Sequence, residues 1–211
     1  MTIYKKSNLY TWLTYAFISL ASVGIISCQK EVQNLHSEQL EVNNPDVLFA
    51  AGIKLYIDWA FTSDPSQNIG HLAAQYFTQT TKVTESRYNW QVQPISANTW
   101  KALYTAITHW KAAQISLQTQ EANPVIRANK VACLELMQIL AYQGLVDTFG
   151  DIPYSETVEI HPVYQDAAFI YEDMIQRLDN AKRAIDITQT GFGSSDVIYR
   201  SDMSKWKKFA N

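Results

Sequence analysis

Glycine and proline are scarce here, 7 and 6 of 211 residues. A many-turned β fold needs both at its turns, so their scarcity favours long helices. Charge is also modest at 18%, against 47% apolar residues, which describes a globular chain and not a disordered one. Cysteine is nearly absent: Cys28 and Cys133 are the two. Cys133 lies in an apolar helical segment and reads as a buried structural thiol, not a nucleophile or ligand. No basic stripe with interleaved aromatics occurs, which speaks against nucleic acid as a partner. There is no phosphate-cradling glycine loop, dinucleotide fingerprint, nucleophile elbow or zinc-ligand cluster, so the sequence implies no cofactor. What is plentiful is aromatic: six Trp and twelve Tyr, read first as core and helix packing.

The N-terminus lacks charge over a long run. Lys5 and Lys6 precede an uncharged stretch from Ser7 to Gln29, which contains Ile25-Ile26-Ser27-Cys28. A positive start, an apolar middle and a small residue before Cys resemble an export signal ending in a lipobox. Residues 1–27 are then a lipoprotein signal peptide, Cys28 the lipidation site and 28–45 a lipidated polar tether. The rival, an uncleaved membrane helix, is weakened by the Thr, Tyr and Ser content of the run. Loss of 1–27 leaves 15 basic against 20 acidic residues.

Residues 46–211 read as helical. Periodicity predicts helices at about 47–61, 69–80, 99–119, 125–147 and 167–188. Leu72, Ala73, Tyr76 and Phe77 share a face of the second. Trp100, Leu103, Tyr104, Ile107, Gln114 and Leu117 line the third, with Asn98 as its expected N-cap and Trp110 at its edge. Asn123 and Pro124 start the fourth, and Asp166 the fifth. The fourth is the most apolar, with Arg127, Lys130, Glu135 and Gln138 on one narrow stripe, so neighbours must cover most of it. On the fifth, Asp173 with Arg177 and Asp179 with Arg183 are expected as i,i+4 pairs on a solvated face. Thr81 to Ala97 is irregular and carries Tyr88, Asn89 and Trp90, a candidate ligand platform or a plug holding the loop to the helices.

The loop that closes the fourth helix reads Asp147-Thr-Phe-Gly-Asp-Ile-Pro-Tyr-Ser-Glu156. Gly150 releases the helix, Pro153 stops a new one, and Phe149 and Tyr154 pack the loop down. The string resembles a hallmark of the SusD/RagB family, nutrient-binding outer-membrane lipoproteins of Bacteroidetes. A second resemblance lies at 199–211, where Asp202, Lys205, Trp206, Lys208, Phe209, Ala210 and Asn211 match and Ser201 replaces the family's Gly. Ser tolerates positive φ poorly.

The resemblance implies an all-α, SusD-like helical fold of tetratricopeptide-like hairpins with long connecting loops. It also implies a chain truncated before its C-terminal half. Trp100-x-x-Leu103 is a faint tetratricopeptide feature of that kind. The implied function is a cell-surface nutrient-binding lipoprotein. It would capture an oligosaccharide or peptide and pass it to a SusC-like TonB-dependent transporter, without catalysis. Lys30-Glu31 partly matches the acidic export signal of such lipoproteins, so the expected place is the outer surface of the outer membrane. Ligand-binding candidates are Tyr88, Asn89 and Trp90, then Asp151 and Tyr154. One alternative is a lipid-anchored helical-repeat scaffold that binds only protein. Another is a lipid-anchored hydrolase using Asp147, Asp151 and Glu156; no metal is expected, calcium held by these acids and loop carbonyls being a minor alternative.

Overall fold

The computed structural model describes residues 44–62, 70–81, 83–89, 95–155 and 163–211. The expected signal peptide, Cys28 and nearly all of the tether lie outside the described residues, as do Trp90 and Glu156. Six α-helices occur among the described residues: α1 Pro45–Ala60, α2 Gly70–Ala73, α3 Ile95–Gln120, α4 Pro124–Phe149, α5 Ala167–Ala184 and α6 Met203–Phe209. A two-residue ladder joins β1 Ile152–Pro153 to β2 Tyr164–Gln165, antiparallel, with Pro153 opposite Tyr164. The fold is therefore all-α, as the sequence implies.

Caps set most of the helix starts. Asn123 accepts from the N–H of Val125 and Ile126 at 2.9 and 3.3 Å, with Pro124 in the first turn of α4. Asp166 does the same for Ala168 and Phe169 at the head of α5. Helix α3 departs from expectation: it begins at Ile95, so Asn98 lies inside the first turn and is not the cap. Asparagine favours a cap but does not fix one where the preceding residues also accept helical geometry.

α1, α3, α4 and α5 pack in succession, each against the next. Phe49 and Ile53 from α1, Leu103, Ile107 and Leu117 from α3, and Leu134, Met137 and Leu145 from α4 are almost fully removed from water. Each such side chain stabilises by about 1.5–3 kcal/mol relative to exposure. Trp110, expected at an edge, is at the centre: it is fully buried and its Nε1–H donates to the Phe49 carbonyl at 3.2 Å. Gly52 makes room for it, because a Cβ there would stand 2.3 Å from the indole nitrogen.

Two predicted helices end early. The 69–80 helix stops at Ala73 because Gln75 takes a left-handed φ of 59°, and the N–H groups of Tyr76 and Phe77 turn back to the His71 carbonyl. Tyr76 and Phe77 are exposed as a result, at 80% and 55%, and only Leu72 of that face is buried. The 167–188 helix stops at Ala184. There the buried Asn129 side chain of α4 donates to the carbonyls of Asp186 and Thr190 and accepts from the Asp186 N–H, which pulls the chain out of the helix. Tertiary hydrogen bonds outcompete local propensity there.

Candidate functional site

The stripe of polar residues on α4 faces protein as much as water. Gln138 is 1% exposed and Lys130 is 9% exposed. Lys130 bridges Asp46 of α1 and Glu121 of the α3–α4 turn, both at 3.1 Å. Burial alone would raise the Glu121 carboxyl, but its hydrogen bond to Lys130 prevails and holds it below the usual range. Glu135 receives Arg177 from α5 through Nε at 2.8 Å and through a second guanidinium nitrogen at 2.6 Å. The other Glu135 oxygen accepts from the Gln114 amide of α3, and Gln114 in turn accepts from Gln138 at 2.9 Å. Three helices thus share one chain of polar contacts.

Arg177 also reaches the loop after α4. A third guanidinium nitrogen donates to the Tyr154 hydroxyl at 2.7 Å, and that hydroxyl donates onward to Asp173. The guanidinium lies over both the Tyr142 and the Tyr154 ring, 5.9 and 5.8 Å from their centroids. Arg177 therefore does not lie on a solvated face paired with Asp173; it ties α5 to α4 and to the loop. Nor does Arg183 reach Asp179 among the described contacts; it donates to Asn180 at 2.8 Å. Burial pushes the hydroxyls of Tyr104, Tyr142 and Tyr154 well above the ordinary tyrosine range. Burial would lower the Arg177 guanidinium, but the Glu135 carboxylate outweighs it and holds the group firmly charged.

Beside this network, α3, α4 and α5 enclose a groove of about 580 Å³. The network itself lines part of it through Gln114, Glu135, Gln138 and Arg177, alongside Gln118, Arg127 and Asn180 and the small apolar Ala128, Val131 and Ala181. None of the described residues lining it is aromatic.

The loop itself is held from behind. The Tyr104 hydroxyl donates to the Pro153 carbonyl at 2.7 Å, and the Lys111 ammonium donates to the Ser155 carbonyl. Tyr154, a ligand candidate, is 9% exposed and packs edge-on to Tyr142 at 4.6 Å. Asp151, the other candidate in this loop, is exposed and accepts from the Ala167 N–H at 3.0 Å, at the head of α5. Asp147 accepts from the Tyr171 hydroxyl. Asp147 and Asp151, two of the acids named for a hydrolase, thus serve different contacts, and neither lines the groove. Among the described residues no three His, Cys, Asp or Glu side chains are grouped to hold a metal ion. Cys133 is buried, and burial raises its thiol, with the Asp196 carboxylate adding to the effect.

Tyr88 and Asn89 come from a different segment, directly after the short 3-10 turn Glu85–Arg87, which Tyr88 caps. Tyr88 takes a left-handed φ of 61° and is 48% exposed. Its hydroxyl accepts from the Gln75 side chain at 2.8 Å, which ties the turn to the segment after α2.

A cluster not anticipated as a site forms where α3 begins and α4 ends. Trp100 meets Tyr104 at 4.7 Å, Phe149 edge-on at 5.1 Å and Tyr164 at 6.5 Å. The available signal was the Trp100–Tyr104 spacing of four, which puts both rings on one helix face.

Among the described residues no helix is long and apolar enough to cross a membrane. No curated protein matches the chain. A crystal structure of a SusD homolog from Parabacteroides distasonis superposes with a TM-score of 0.67 at 21% identity, over 79% of this chain and 33% of that one. The chain therefore spans about a third of that protein, and the match shows a shared fold. A family model described as SusD-like, starch-binding associating with outer membrane, matches residues 37–211. That span takes in every helix described above, and on it the chain belongs to the SusD-like family.

Proposed function

We propose that this protein is a lipid-anchored subunit of the outer-membrane surface that captures a glycan and hands it to a SusC-like TonB-dependent transporter. The observation that carries the reading is the family match over 37–211, whose description names starch binding and the outer membrane. Cys28 supplies the anchor after removal of 1–27, and 28–45 the tether. The SusD-like part, 46–211, makes a rigid helical body that presents its loops. Tyr88, Asn89 and Trp90 contact the ligand, with rings stacking on sugar faces and amides bonding hydroxyls. Asp151 offers an acceptor from the loop after α4, and Tyr154 holds that loop from behind. No bond of the ligand is broken; the chemistry is recognition and transfer. A peptide ligand is the second choice of cargo.

One observation favours the protein-only scaffold instead: the groove between α3, α4 and α5 has a polar rim and no aromatic lining among the described residues. Both readings meet the same experiment. The lipidated protein is isolated from its native envelope and co-purifying proteins are identified by mass. Recovery of a large outer-membrane β-barrel, with acyl chains on the Cys28 peptide, supports the transporter subunit. Unacylated Cys28 and no barrel sink it and leave the scaffold.

A further inference from the structure

We infer that the groove between α3, α4 and α5 is a docking site for an extended peptide of about six residues with a carboxylate at one end. Neither Tyr88, Asn89, Asp151 nor Tyr154 lines it, so the inference goes beyond the glycan reading and stands apart from it.

Length comes first. α4 packs on both α3 and α5 and forms the floor between them. Pro124, Arg127, Val131, Glu135 and Gln138 follow one another along its lining face at helical spacing. The run from Pro124 to Gln138 is about 21 Å long, which about six residues of extended chain cover. Ala128 and Ala132 on the floor, with Ala181 and Ala184 on the α5 side, end at Cβ and let a main chain come close. No aromatic ring lines the groove among the described residues, so a sugar finds nothing to stack on.

The polar side chains divide into those spent and those open. Gln114, Glu135, Gln138 and Arg177 satisfy one another. Gln118 on α3 bonds nothing among the described residues. On α5 the Asn180 oxygen accepts from Arg183, and its amide nitrogen donates to nothing among them. Open carboxamides on both sides suit the N–H and C=O groups that alternate along an extended main chain. Charge then fixes one end. Lys130 is matched by Asp46 and Glu121, and Arg177 by Glu135. Arg127 forms no ion pair among the described residues; it donates to the Glu121 carbonyl at 3.2 Å. Its guanidinium stands at the end of the groove beside the α3–α4 turn, where a ligand carboxylate complements it.

The test is a titration of the full chain followed by saturation-transfer difference NMR. The probes are acetylated, amidated hexapeptides of serine and alanine with one aspartate at either end, or asparagine in its place. Arg127→Gln, Ala128→Trp and the charge control Lys208→Gln, exposed on α6, are compared, each checked for an unchanged helical circular dichroism spectrum. One aspartate peptide is expected to bind the native chain with a dissociation constant below about 1 mM. Its asparagine counterpart should bind about fivefold more weakly, a difference that Arg127→Gln removes and Lys208→Gln leaves in place. Ala128→Trp, which fills the floor, should abolish binding. No binding of either aspartate peptide to the native chain overturns the docking site, as does binding that survives Ala128→Trp. A preference for aspartate that survives Arg127→Gln overturns the assigned carboxylate end. None of these outcomes touches the glycan reading, whose proposed contacts lie elsewhere.

Discussion

Asp196 and Glu135 are both drawn into the protein, yet they hold different kinds of partner. Asp196 is 1% exposed and is met by neutral donors: the N–H groups of Ile198 and Tyr199 on one oxygen, both at 3.0 Å, and the Ser201 N–H and Trp206 indole N–H on the other, both at 2.7 Å. All four lie within ten residues of it. Glu135 is paired to a guanidinium 42 residues away and to an amide 21 residues away. One carboxylate shapes a turn and seats α6; the other sets α5 against α3 and α4. The first works by satisfying local backbone, the second by registering distant elements, and they should fail differently.

The largest effect is expected at Asp196. Asp196→Ala leaves the Trp206 indole and three backbone N–H groups without their acceptor, at a cost of about 3–5 kcal/mol. Urea unfolding measures it. A cost under about 1 kcal/mol would mean that packing of Phe192 on Phe49, 3.9 Å apart, already fixes the turn.

Next comes Arg177→Met. It strips Glu135 of its cation and Tyr154 of a donor, for about 2–4 kcal/mol. Adding Glu135→Gln should recover more than half of that loss, because the stranded charge, not the missing bridge, is most of the cost. The double-mutant cycle decides. If the second substitution adds to the first, the bridge itself stabilises. No such rescue exists for Asp196, whose partners are mostly main chain.

Alkali should separate the two clusters as well. Tyr142 and Tyr154 lie against Arg177, and burial holds their hydroxyls protonated beyond the ordinary value of 10.0. The folded state then binds more protons than the unfolded one above that pH, so stability falls as pH rises through 10 and beyond. Tyrosinate absorbance should show these rings ionising late, together with loss of the fold. Ionisation in step with exposed tyrosines would place them in water.

These clusters also mark what could be read from the chain. The caps at Asn123 and Asp166, the apolar α4 and the closing loop are local or periodic signals, and each is where it was expected. The polar side chains were harder. Arg177 beside Asp173 satisfies an i,i+4 rule, but Glu135 is the stronger partner and comes from another helix. Tyr76 and Phe77 continue the face of α2 on paper, and one left-handed residue at Gln75 ends it. Tyr164 carries no periodic signal, and the ladder opposite Pro153 brings it near Trp100. In each case the deciding contact is set by tertiary structure or by a backbone turn that periodicity does not encode. Lipidation at Cys28 and the part played by Trp90 fall outside the described residues and stay with the proposal.

The smallest expected effect tests how far Asp196 controls its own turn. Ser201 sits at a φ of 62°, following Arg200 at 52°, a region that disfavours any residue with a Cβ. The serine offsets this with its hydroxyl, which accepts from the Gly193 N–H, while its own N–H goes to Asp196. Ser201→Gly removes about 1 kcal/mol of backbone strain and about 1 kcal/mol of hydrogen bond, so the two nearly cancel. Ser201→Ala keeps the strain and loses the hydroxyl, and should destabilise by about 1 kcal/mol. Thermal melts of the two variants side by side give the answer. If glycine is the more stable by about 1 kcal/mol than serine, the hydroxyl contributes little, and the carboxylate of Asp196 alone dictates the left-handed turn. If glycine and alanine lose equally, the strain is small because Asp196 has already selected that conformation, and the hydroxyl is what closes the turn onto Gly193.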